Sequence, residues 1–143
     1  AEEERVMRAS EIAQATEIIR EKPEGIASEI AQGGANVSGG QKQRLSIARA
    51  ILKKPKIYIF DDSFSALDYT TDAKLRAALK SETRNSVVLI VAQRIGTILN
   101  AEQIIVLEEG KVVGKGTHRE LLKTCQVYRE IAESQLSQEE LEA

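Results

Sequence analysis

Apolar residues change their spacing along this 143-residue chain, and the changes mark its elements. From Glu2 to Glu21 they recur at helical intervals, with Val6, Ile12, Ala13, Ala15, Ile18 and Ile19 among them, until Pro23 and Gly25 stop the pattern. Gly25 to Asn36 reads as a loop containing Gly33-Gly34. Gln41 to Lys53 is amphipathic, with Leu45, Ala48, Ile51 and Leu52 on the apolar side. Ile57 to Phe60 is a short unbroken apolar run, bounded by Lys53-Lys54-Pro55 before and Asp61-Asp62-Ser63 after, which fits a strand covered on both faces. Tyr69 to Lys80 returns to helical spacing, with Ala73, Leu75 and Leu79 inward. Ser86 to Ala92 is a second, β-branched run of buried style, and Ile95 to Asn100 a short helix. Gln103 to Leu107 is a third strand, turned by Glu108-Glu109-Gly110-Lys111 into Val112 to Lys115. Gln126 to Leu136 is the last helix, and Ser137 to Ala143 is expected to fray. Strands alternating with helices predict an α/β fold with a mainly parallel sheet.

Candidate chemistry gathers in the middle of the chain. In Ser38-Gly39-Gly40-Gln41, Ser38 suits a helix N-cap and Gln41 completes a capping box. Taken alone the turn reads first as a plain cap. The glycines also let backbone N–H groups approach a ligand, and the positive end of a helix dipole attracts an anion. At the other end of the apolar run, Asp61 and Asp62 sit where α/β sheets bind ligands. Successive strand residues point to opposite faces, so the two carboxylates divide their roles. One could hold Mg²⁺ and the other could orient and deprotonate an attacking water. The plainer alternative is a solvated turn with Asp62 or Ser63 as a cap. Asp68 reads as the cap of the following helix. Thr117-x-x-Glu120 is a second capping box, and His118 beside it reads as a surface residue. Tyr58 and Tyr69 read as packing residues.

Composition narrows the field. With 42% apolar and 29% charged residues the chain is globular rather than disordered. A net charge of −2 gives no general basic surface for nucleic acid. Cys125 and His118 are the single cysteine and histidine, which excludes a disulfide framework and a cysteine or histidine metal cluster. No apolar run approaches the ~20 residues of a membrane span and no signal peptide is visible, so membrane attachment is expected from segments outside this sequence.

These stretches resemble the ATP-binding domain of ATP-binding cassette (ABC) transporters. Val37 to Gln41 is similar to the family's signature motif, Ile57 to Asp62 to its Walker B strand, and Ser65-Ala66-Leu67-Asp68 to its D-loop. Val91-Ala92-Gln93-Arg94 sits where the family has its switch segment. The spacing agrees, with 61 − 41 = 20 positions from Gln41 to Asp61 and 68 − 61 = 7 from Asp61 to Asp68. The resemblance covers essentially the whole chain and is nearest to multidrug-exporter subunits. It implies a partial P-loop NTPase fold, in which residues 1–36 are a portion of the helical subdomain. Residues 37–143 then carry the signature helix, Walker B, D-loop, switch region and C-terminal helices. It further implies ATP and Mg²⁺ as cofactors, with Asp61 holding the metal through water, Asp62 as the base and Gln93 at the γ-phosphate. Ser38, Gly39, Gly40 and Gln41, with Asp68, would serve the ATP of a second ATPase subunit in a head-to-tail dimer. Transmembrane domains would be the other partner, and the cytoplasmic face of the cell membrane the location.

Three positions depart from the family pattern. The base is usually Glu and here is Asp62, the switch residue is usually His and here is Gln93, and Gln32 stands where exporters usually have Glu. Gln can hydrogen-bond a phosphate but cannot carry a proton or a positive charge. The combination looks like the degenerate site of a heterodimeric exporter, which binds ATP and hydrolyses it slowly. The phosphate-cradling string Gly-x-x-x-x-Gly-Lys-Ser/Thr does not occur in the sequence. The nearest, Gly110 to Thr117, is one residue short between the glycines, and Lys115 is followed by Gly116. The Walker A strand and loop are therefore expected to be missing, leaving a gap in the sheet between the Gln93 strand and the strand at 103–107. The chain alone is expected to be inactive. Two other readings are an ABC-type ATPase of the nucleic-acid machinery, which would show a basic stripe and long heptads, and a non-catalytic interaction fragment.

Overall fold

The computed structural model describes residues 2–142. They form two compact units that divide after Val91.

The first unit opens with helix α1 (Glu2–Ile12), whose three glutamates in the first turn complement the helix dipole. The helical pattern was expected to run to Glu21, but α1 stops early and a separate α2 spans Thr16–Arg20. Gln14 makes the break with a left-handed φ of 55°. The Ala15 N–H bonds the Ser10 carbonyl at 2.7 Å and the Gln14 N–H bonds the Glu11 carbonyl at 3.1 Å, the paired bonds of a Schellman ending. No Gly or Pro announces it, and buried Ala13 and Ala15 keep the apolar rhythm going across the break. Short 3₁₀ turns at Gly25–Ala27 and Gln32–Gly34 lead to α3 (Gly39–Lys53). Lys54 ends α3 in a left-handed conformation directly before Pro55.

Strand β1 (Ile57–Asp61), helix α4 (Tyr69–Glu82) and strand β2 (Val87–Val91) complete the unit. The strands pair in parallel, from Ile57 opposite Val87 to Asp61 opposite Val91. The core gathers Ala9, Ala13, Ile18, Ile47, Ile51, Tyr58, Phe60, Phe64, Leu75 and Leu79. Three expectations are corrected here. The strands are not covered on both faces: Tyr58 and Phe60 are buried, while Ile59 is 67% exposed and Leu89 51%. The described residues of this unit supply a layer of helices on one side of the pair, and an apolar run does not say how many of its faces its own chain will cover. On α4, buried Asp72 takes the place expected for Ala73, and Tyr69, the first residue of the helix, is 85% exposed rather than a packing residue.

The first turn of α3 packs on the loop after β1. A Cβ built on Gly40 would lie 2.9 Å from the Ala66 carbonyl oxygen, whereas one on Gly39 would meet the Ala66 Cβ at 3.7 Å, an ordinary contact.

The second unit holds α5 (Ile95–Ile98), the antiparallel pair β3 (Ile104–Glu108) and β4 (Lys111–Gly116), and helices α6 (His118–Thr124), α7 (Gln126–Gln135) and α8 (Gln138–Glu142). Glu109 and Gly110, both at positive φ, make the expected hairpin turn. Among the described residues each sheet has two strands. Ile104, Val106, Leu121, Cys125, Tyr128 and Ala132 form the core. Strand β4 lies close on the α6–α7 junction, since a Cβ on Gly114 would stand 2.8 Å from the Cys125 Sγ. Instead of fraying, the segment after Leu136 forms α8, begun by Ser137 and Glu140: the Ser137 N–H donates to Glu140 Oε2 at 2.8 Å. No helix among the described residues is long and apolar enough to cross a membrane.

His118 is buried, not at the surface. Its Nδ1 shares a 2.8 Å hydrogen bond with the Tyr128 hydroxyl and its Nε2 is buried without a partner. The Thr117–Glu120 box fixes the helix start, and the first residue after the cap turns inward onto α7.

Two predictions follow from these contacts. Burial, and secondarily the charge of Arg119, hold the His118 imidazole below its ordinary pKa. The folded chain thus binds fewer protons than the unfolded one, so the stability from neutral His118 is fully present above the unfolded pKa of about 6.5 and is lost as pH falls below it. Urea titrations at descending pH should show the midpoint dropping through this window, before the carboxylates titrate, and the drop should flatten in His118→Gln. Second, Gly40→Ala should destabilise the chain by about 1–3 kcal/mol because a backbone carbonyl must move, while Gly39→Ala should stay within about 0.5 kcal/mol; the same titrations at pH 7 read both.

Candidate functional site

The glycine turn is built as a capping box. Ser38, in extended conformation, accepts the Gln41 N–H on its Oγ at 3.2 Å, and the Ser38 N–H donates to Gln41 Oε1 at 2.9 Å. The Lys42 N–H goes to the Ser38 carbonyl. An α-helix leaves its first N–H groups without helical acceptors, and among the described residues those of Gly39 and Gly40 have no intrachain acceptor. They open the positive end of a 15-residue helix, an arrangement suited to an anion. The cap and the anion site are therefore compatible uses of one turn.

Asp61 closes β1 and Asp62 follows it with a left-handed φ of 48°, a conformation Asp tolerates better than most residues. The Asp62 N–H donates to the Val91 carbonyl at 3.0 Å, carrying the sheet one residue further. Both aspartates are exposed. The Ser65 hydroxyl lies 3.0 Å from Asp62 Oδ2 and 3.2 Å from the Asp62 carbonyl oxygen. Among the described residues no three His, Cys, Asp or Glu side chains cluster as an all-protein metal cage. A single exposed carboxylate with open space for water suits Mg²⁺, which keeps several waters and takes one or two carboxylates.

Asp68 caps α4, accepting the Thr71 hydroxyl at 2.6 Å and the Thr71 N–H at 2.9 Å. The side-chain bond first and the backbone bond second hold its carboxyl below the usual carboxylate range. Gln93 belongs to the second unit, where its side chain is exposed. Its carbonyl accepts Gln135 Nε2 at 2.8 Å, and Gln135 Oε1 in turn accepts the Ile95 N–H at 2.8 Å. The first unit thus brings the glycine turn, the aspartates and the 65–68 loop together, and Gln93 is anchored separately.

Sequence reasoning missed Gln43. Its Nε2 donates to the Asp62 carbonyl at 2.9 Å and to Ser65 Oγ at 3.0 Å, and its Oε1 accepts the Ala66 N–H at 2.9 Å. A signal existed: Gln43, Ile47 and Ile51 share one helix face at four-residue spacing, so a polar residue extends a buried stripe. Arg44 was missed too; its Nη1 donates to the Gln14 carbonyl at 2.6 Å, tying α3 to the break after α1.

Residues 2–65 match the ABC transporter family model. An ABC transporter ATP-binding protein of Mycobacterium tuberculosis is 51% identical over 112 residues, covering 78% of this chain and 19% of that protein. An ATP-dependent lipid A-core flippase of Ralstonia nicotianae is 44% identical over 124 residues, covering 87% and 21%. The chain spans about a fifth of the length of these relatives. A solved structure of a bacterial Atm1-family ABC exporter with ATP bound superposes with a TM-score of 0.89 at 31% identity, covering 95% of this chain and 24% of that one. The match in family model, relatives and partial α/β fold agrees with the motifs at Val37–Gln41 and Ile57–Asp62, and the chain belongs to the ABC transporter ATP-binding family.

Proposed function

We propose that this chain is part of the ATP-binding subunit of an ABC exporter, that its glycine turn completes the ATP site of a partner subunit, and that its own site hydrolyses slowly. The observation that carries this is a pairing: Gly39 and Gly40 amides left open at the start of α3, and an Asp62 carboxylate whose partner is the Ser65 hydroxyl. The first is a complete anion-binding turn. The second is a base one methylene shorter than the family's Glu, and that shorter reach is what slows it.

In this reading residues 1–36 lean on transmembrane domains and residues 37–143 form the ATPase core. The partner is a second ATPase subunit docked head to tail, so that Ser38, Gly39, Gly40 and Gln41 donate to its nucleotide, with Asp68 close to the dimer face. Asp61 holds Mg²⁺ through water, Asp62 accepts the proton of the attacking water, and the Gln93 amide bonds the γ-phosphate. Bound MgATP supplies the phosphoryl group and the cation that offsets its charge. Gln93 can position that group and cannot carry a charge to it. The working location is the cytoplasmic face of a membrane, reached through transmembrane domains, and the chain by itself is inactive for want of a Walker A loop.

The test is Asp62→Glu combined with Gln93→His in the assembled heterodimer, with hydrolysis followed at this subunit's own site. Correcting a reach error near 1 Å should raise that rate by roughly a hundredfold. No rise in the double variant would sink the slow-site reading.

A further inference from the structure

Gln43 takes part in none of the roles assigned so far, yet both its amide hydrogens are donated and its amide oxygen accepts. Both Nε2 contacts and the Oε1 contact fall on the five-residue stretch from Asp62 to Ala66 that carries the base and begins the D-loop. The directions of these bonds matter. The Gln43 N–H occupies a lone pair of Ser65 Oγ, so the single Ser65 hydroxyl hydrogen is steered away from Gln43 toward Asp62. The Asp62 carbonyl is itself already accepting from Gln43 at 2.9 Å, and of the two Asp62 oxygens within reach of Ser65 Oγ, Oδ2 is the nearer, at 3.0 Å against 3.2 Å. The amide of one residue on the signature helix thereby orients the hydroxyl that holds the base.

We infer that Gln43 is a positioning residue for Asp62, acting through Ser65, and that it ties the base to the helix presenting the glycine turn. This rests on the proposed role of Asp62. The flexible Asp62 side chain has one hydroxyl partner, and that partner is oriented by Gln43; the backbone beneath is held by the same amide. A movement of α3 is transmitted to the carboxylate without any contact between Gln43 and nucleotide.

The experiment uses the assembled transporter with the partner's own site silenced, and reads single-turnover hydrolysis at this subunit's site against MgATP concentration. Gln43→Met, which keeps the shape and removes all three bonds, should lower the maximal rate by about tenfold to a hundredfold with the half-saturating MgATP unchanged. Gln43→Glu keeps an acceptor for the Ala66 N–H and loses the donor, and should be as slow as Gln43→Met. Ser65→Ala removes the relay and leaves the other Gln43 bonds; it should lower the rate similarly, and the Gln43→Met/Ser65→Ala pair should be no slower than the worse single variant. Ser65→Ala also keeps the question decidable if Gln43→Met does not assemble. A normal maximal rate in Gln43→Met or in Ser65→Ala, or losses that multiply in the pair, overturns the inference while leaving the ATPase reading intact, provided Asp62→Ala is slow. An unchanged rate in Asp62→Ala overturns both.

Discussion

Helix α3 meets the loop at 62–67 backbone to backbone, and the chemistry at this end of the first unit depends on that approach. It is possible because Gly40 has no side chain to hold the helix off the Ala66 carbonyl. At that distance the Gln43 amide reaches main-chain and side-chain groups of the loop together. Beneath the contact, Ile47 and Ile51 pack with Tyr58 and Phe60, and the Phe60 and Phe64 rings stand 5.4 Å apart, so the strand that ends on Asp61 and the helix that starts at Gly39 share one core. The glycine turn and the carboxylates are therefore parts of one body rather than two loops free to drift.

What could be read from the letters was whatever local chemistry decides. Ser38 with Gln41, and Thr117 with Glu120, formed the boxes their spacing announces, and Glu109-Gly110 turned the hairpin. Where a tertiary partner decides, the letters were silent or misleading. Gln14 takes a left-handed turn with no glycine to mark it, and Arg44 from α3 bonds its carbonyl. His118 follows a cap and looked solvated, but Tyr128 on the next helix supplied a buried partner. The apolar runs at 57–60 and 86–92 gave the strands and overstated their cover, because alternation of burial depends on which layers are present. At the candidate site, spacing drew attention to Ser38–Gln41, Asp61 and Asp62 and not to Gln43, since a polar residue on an apolar stripe explains itself only when the loop it meets is in place.

Two of the three positions read from the sequence as departures share a property. Asp62 and Gln93 present exposed side chains on backbones fixed by Val91 and Gln135 respectively. The scaffold does not lean on the Gln93 side chain, so substitution there costs folding little, whereas at Asp62 the left-handed backbone favours Asp over most residues. The contacts that cannot be retuned so freely are Gly40 against Ala66 and Gly114 against Cys125, where the missing Cβ is itself the structural element.

The second of those contacts gives the molecule a built-in reporter. Cys125 is the chain's one thiol, and it is sealed beneath β4 with its Sγ 3.8 Å from the Val113 carbonyl. An alkylating reagent reaches it after the hairpin lifts from the α6–α7 junction, so the labelling rate is a stopwatch for local opening of that half of the chain, readable without installing any foreign probe.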